Sequence, residues 1–232
     1  MIGKEPCVMS QINFDLAYEE IFSFWDEIPK KDREYICRNS YAFTYSKGKN
    51  IHDGSECSGV ILVRSGSLRL YMMSDEGREI TLYRLHRGDV CMLSASCVLD
   101  AVTFDVLLDV EEESECYVIG GSAFAAVAER NPSVKIFALE TAVGRFSDVM
   151  WVMQQILFMN MDKRLAIFLS DESARTGSDT IELTHEQVAR YMGSAREVVS
   201  RMLKYFAKEG IVEVSRGGIR ISDKKRLREL TL

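Results

Sequence analysis

The spacing of apolar residues changes character along the chain. Residues 14–38 read as helical, with polar faces around Phe22, Phe24, Trp25 and Ile28. From Tyr41 to about Val118 short alternating runs replace that pattern, punctuated by glycines 48, 54, 66, 77 and 88. This is the spacing expected of a β-barrel or jelly roll. Within it, SLRLYMMSDEGREITLYRL predicts a hairpin whose loop uses Gly77 for a positive φ.

After Asn131-Pro132 the period becomes helical again. Leu139, Ala142, Phe146, Val149, Met153 and Ile156 repeat at alternating steps of three and four. Such a seam suits pairing with a second copy. A second stripe, Ile136, Val143, Met150 and Leu157, is then available to pack on the same chain's barrel. A further helical stretch follows Asp162-Lys163-Arg164, and the glycine-containing ARTGSD at 174–179 reads as a domain boundary.

Residues 181–221 carry the most specific signal. Thr184 followed by Gln187 is a capping box that opens a helix. Ala189, Gly193 and Val199 sit where a helix-turn-helix needs a small contact residue, a turn glycine and an apolar filler. Val188, Met192 and Met202 complete the buried face, and Gly210 closes the second helix. Val212–Val214 and Ile219–Ile221 flank Arg216-Gly217-Gly218 and predict a two-stranded wing. Arg196, Glu197, Ser200 and Arg201 begin the second helix, the part that enters a major groove. Arginine pairs with guanine and glutamate with cytosine N4. Lys204, Arg216 and the capping Thr184 complete the expected DNA-contacting set. Glu197 has a competing role as capping-box acid for Ser194, and the arginines as phosphate contacts.

Charge agrees with that division. The 232-residue chain has a net charge of −6, yet residues 181–232 hold 11 Lys and Arg against 7 Asp and Glu. A basic end on an acidic body fits a nucleic-acid module joined to a different one. No apolar run spans a membrane and MIGKEPCVMSQINFD lacks a signal-peptide core, so a cytoplasmic protein is expected. The six cysteines, at 7, 37, 57, 91, 97 and 116, are then free thiols by default.

The chain resembles the Crp/Fnr superfamily from about Phe22 to Leu230. The likeness rests on Gly66-Ser67, the hairpin Asp75-Glu76-Gly77-Arg78-Glu79, Gly88-Asp89, the long helix, and Arg196-Glu197-Val198-Val199-Ser200-Arg201. It implies an α+β protein: a cyclic-nucleotide-binding-type β-barrel (1–130), a dimerisation helix (131–160) and a winged helix-turn-helix (161–232). It also implies a homodimer on two-fold symmetric double-stranded DNA, RNA polymerase as protein partner, and a half-site such as TGTGA or TTGA.

The effector departs from the family's cyclic-nucleotide members. Gly88-Asp89 leads into Val-Cys-Met-Leu-Ser-Ala-Ser-Cys, and residues 88–129 contain no Lys, Arg or His. A buried phosphate needs a cationic or multi-amide partner, so cyclic AMP is not expected. Only Cys7 precedes residue 30, which disfavours an iron–sulfur cluster; haem is left open. Gly88, Asp89, Cys91, Ser94, Ser96 and Cys97 form the candidate effector pocket, with Cys91 and Cys97 either a redox pair or core-filling thiols. No catalytic or metal site is expected. The rival readings are a cupin-type metal enzyme, for which three dispersed histidines supply no ligand cluster, and a nucleotide-binding regulatory module without DNA contact.

Overall fold

The computed structural model describes residues 12–52, 59–92 and 106–232. Two compact units are present, one of residues 1–72 and 82–149, the other of 73–81 and 150–232.

The first unit opens with α1 (Phe14–Glu19), a 3-10 turn (Trp25–Glu27) and α2 (Lys30–Arg38). The expected helix over 14–38 is therefore broken. Tyr18, Phe22, Phe24 and Trp25 are all buried in one aromatic cluster, and consecutive buried positions do not fit one stripe of a helix. Pro29 then starts α2, where a missing N–H costs nothing.

The sheet comprises β1 (Ser40–Tyr45), β2 (Asn50–His52), β3 (Val60–Met73), β4 (Glu79–Leu85), β5 (Val90–Cys91) and β6 (Leu107–Ile119). Its order is β1-β6-β3-β4, with β2 on β6 and β5 on β3. The arrangement is jelly-roll-like, but the described strands do not close into the expected barrel. Gly66 explains its place in the motif: at φ +84° a Cβ would stand 2.3 Å from the Glu113 carbonyl oxygen.

Helices α3 (Gly121–Arg130) and α4 (Pro132–Phe158) follow. Proline at the first position of α4 matches the predicted start. The faces of α4 differ from the expected division. Val134 and Ala138 are buried, and Val149 packs on the core formed by Leu68, Leu70 and Leu108. Ile136, Val143, Met150 and Leu157, expected against the barrel, are exposed. Leu139, Phe146 and Met153 of the first stripe are exposed as well, whereas Ala142, Val149 and Ile156 are half-buried. The helix therefore shows solvent one continuous apolar row: 136, 139, 143, 146, 150, 153 and 157.

In the second unit, α5 (Met161–Thr176), β7 (Thr180–Ile181), α6 (His185–Met192), α7 (Arg196–Lys208), β8 (Val212–Ser215), β9 (Gly218–Ile221) and α8 (Lys224–Glu229) share one core. Leu165, Ala166 and Leu169 of α5 pack there with Val188, Val199 and Leu203. ARTGSD is thus the C-terminal stop of α5 inside a unit and not a boundary; Gly177 ends the helix in the left-handed region.

Candidate nucleic-acid interface

Local chemistry builds the reading head. The Gln187 N–H donates to Thr184 Oγ1 at 3.2 Å, and the Thr184 N–H donates to Gln187 Oε1 at 2.8 Å. This closes the predicted capping box. Thr184's hydroxyl is therefore engaged in starting α6. Gly193 ends α6 at φ +59°, where an added Cβ would press on Ile80 at 3.1 Å. The turn needs glycine for backbone and space together.

The carbonyls at this turn are held from outside the motif. Arg78 donates to the Gly193 carbonyl, Arg164 to that of Met192, and the Thr81 hydroxyl to that of Arg190 at 3.3 Å. Glu79 pairs with Arg190 at 3.4 Å. Nothing in the 181–221 motif points to these residues, which lie far away in sequence.

On α7, Val199, Leu203 and Phe206 are buried, and Arg196, Glu197, Arg201 and Lys204 are exposed, with Ser200 half-buried between them. One side of the helix thus anchors it, and the other carries the five expected residues that belong to α7. Glu197 is not drawn into a cap. The N-cap residue is Ala195, with no side-chain cap bond, and the Ser194 hydroxyl faces the Met161 sulfur at 3.8 Å.

Beside it the wing pairs Val212–Ser215 with Gly218–Ile221, and places Arg216 at its exposed tip. Residues Thr180 and Ile181 add a third strand, on β9, that the sequence pattern did not show. Arg220 is paired with Glu213 at 2.7 Å, which leaves Arg216 as the wing's forward cation.

Between wing and α6 lies a cleft of about 250 Å³ lined by Glu182, Thr184, His185, Ser215 and Arg216. Partial burial, with Arg196 and Lys204 nearby, holds the His185 imidazole below its usual value, so it is neutral near pH 7.

In the first unit, Gly88 makes a positive-φ turn, and its N–H donates to the Val63 carbonyl at 2.9 Å. Asp89 accepts from the His86 N–H at 2.8 Å. Cys91 is fully buried on β5, in the same core as Cys116. Burial, with Cys91 adjacent, pushes the Cys116 thiol up to about 12; these two cysteines fill core. Ser94, Ser96 and Cys97 lie outside the described residues, as do Cys7 and Cys57.

Two cations missed by a reading confined to 88–129 belong to this unit. Arg69 on β3 is 2% exposed and stacks over Tyr71 at 4.2 Å. Arg145 on α4 reaches Asp89 at 3.0 Å. Among the described residues no three His, Cys, Asp or Glu side chains gather as a metal-binding group. No described helix is long and apolar enough to cross a membrane.

Comparison with known proteins covers both units. Residues 163–230 match the Crp-like helix-turn-helix domain, and residues 44–131 match the cyclic nucleotide-binding domain. A crystallised Eubacterium rectale protein assigned to the Crp/Fnr transcriptional regulators is 41% identical. The match covers 91% of this chain and 99% of that one, with a TM-score of 0.87. The cyclic AMP receptor protein of Thermus thermophilus is 25% identical over 187 residues, 80% of this chain and 86% of that protein. The transcriptional activator protein FnrA of Stutzerimonas stutzeri is 26% identical over 189 residues, 76% and 75% of the respective chains.

Proposed function

This chain belongs to the Crp/Fnr family of DNA-binding transcription regulators, and from that premise we propose that it works as a homodimer whose two α7 helices read the halves of a two-fold symmetric site. One observation carries the reading: α7 buries Val199, Leu203 and Phe206 and turns Arg196, Glu197, Ser200 and Arg201 outward beside the wing. We assign base readout to Arg196, Glu197, Ser200 and Arg201, and phosphate contact to Lys204, Arg216 and the α6 start at Thr184. The second copy is assigned to the exposed row Ile136, Leu139, Val143, Phe146, Met150, Met153 and Leu157. Its steps of three and four residues are those of a coiled-coil seam, and so much apolar surface on one helix is costly in water.

The effector is assigned to the first unit, around Gly88, Asp89 and Cys91, and is not cyclic AMP. Support comes from Arg145, whose charge is already paired with Asp89 at 3.0 Å and with Asp148 at 3.2 Å. RNA polymerase is the assigned protein partner, and a DNA target places the work in the cytoplasm. Selection of bound fragments from sheared genomic DNA, followed by gel shift, tests the central reading. A two-fold symmetric consensus is expected; failure to retain any fragment overturns it.

A further inference from the structure

The cleft between α6 and the wing deserves a role of its own, because its chemistry is that of an anion seat. Arg216 lines it from the wing and His185 from α6, with the small polar groups Thr184 and Ser215 beside them. The cations Arg196 and Lys204 of α7 lie near enough to His185 to disfavour its charged form. The carboxylate among the lining residues is Glu182, which is exposed, and Glu186 follows His185 on α6. Two elements, the wing and α7, thus bring permanent positive charge near one imidazole.

We propose that this cleft seats a DNA backbone phosphate and that His185 takes up a proton from solvent when the phosphate arrives, so that DNA binding is proton-linked. This rests on the DNA-binding reading above and deepens it. In the free protein partial burial disfavours a charge on His185, and the neighbouring Arg196 guanidinium and Lys204 ammonium add to that. A phosphate in the cleft screens those cations and offers the imidazolium a charge-assisted hydrogen bond. The favoured state of His185 therefore differs between free and bound protein. Binding strengthens as pH falls through the range between the two states, because the complex holds the extra proton. Arginine at this position would contribute charge at every pH; histidine makes the contribution conditional.

The experiment measures anisotropy of a labelled mixed-sequence duplex of about 30 base pairs at low salt, where phosphate contacts dominate. Between about pH 8 and pH 6, wild-type affinity should rise roughly three- to tenfold beyond that of His185→Gln. His185→Arg should bind at pH 8 about as tightly as wild type at pH 6, with the same shallow slope as His185→Gln. Histidines 52 and 86 are common to all three proteins, so they cancel. Equal pH slopes in wild type and His185→Gln, with DNA still bound, would overturn the proton linkage alone. Absence of DNA binding by wild type at every pH would overturn the DNA-binding reading, and this inference with it.

Discussion

Arg145 and Asp89, 56 residues apart, meet at 3.0 Å, and the same guanidinium lies 4.8 Å from the centre of the Tyr83 ring. The long helix thus ties itself to the turn that precedes β5 through one side chain. Hydrogen bonds and charge from Asp89 and Asp148 outweigh partial burial and raise Arg145 above its ordinary value, so it is charged at any working pH. Arg145→Ala should destabilise the sensing unit by about 1–2 kcal/mol, discounted for partial exposure of the pair. Urea denaturation checks this. Calorimetric titration of the wild type with cyclic AMP should be flat; micromolar binding would overturn the assignment of a different effector.

The exposed row on α4 makes a prediction that separates its two sides. Val143→Glu with Phe146→Glu should leave helix content unchanged and halve the sedimenting mass. Val149→Glu should act differently. It pushes a charge against the sheet core, at a cost of at least about 2 kcal/mol in sensing-unit stability. A dimer that survives the first double substitution sinks the seam.

On α7, Arg201→Ala should cost about 1–3 kcal/mol of specific affinity and relax preference at one guanine. Lys204→Ala or Arg216→Ala should weaken all sequences alike and reduce the salt slope. Each variant loses one positive charge, so electrostatics alone predicts equal effects. Selection on random DNA decides. An unchanged base preference in Arg201→Ala would show that the assigned register on the groove is wrong.

Asp32 supplies an acid-sensitive clasp. It is buried, accepts from Arg130 at 2.7 Å and from Asn131 at 3.0 Å, and joins α2 to the end of α3. Burial alone would raise its carboxyl; the hydrogen bonds from Arg130 and Asn131 outweigh that and hold it below the usual range. A depressed folded value means the contribution is complete above the unfolded value, near 3.9. It fades as pH falls through the folded one. Asp32→Asn should therefore cost about 2 kcal/mol at pH 6. The difference from wild type should shrink below about pH 4; a pH-independent gap in denaturant midpoints would refute the clasp.

By itself the sequence determined whatever depends on near neighbours. The Thr184–Gln187 box, the turn at Gly193, the stop at Gly210, the Gly77 hairpin and the Pro132 start rest on interactions within about four residues. They were therefore readable as spacings, and so was the recognition helix with its outward Arg196, Glu197 and Arg201. Tertiary structure decided what local rules leave degenerate. Helix α4 is apolar at positions on most of its circumference, so the spacing alone did not assign its stripes correctly; packing buried Val134 and Ala138 and set Val149 against the sheet core. The break after Glu19 likewise follows from an aromatic cluster that only three-dimensional packing assembles. Arg145 and Arg69 join the sensing unit from segments outside residues 88–129, because a charge is felt across space and not along the chain. His185 reads as an ordinary polar residue at the start of a helix. It became a site residue when folding brought Arg196, Lys204 and Arg216 around it.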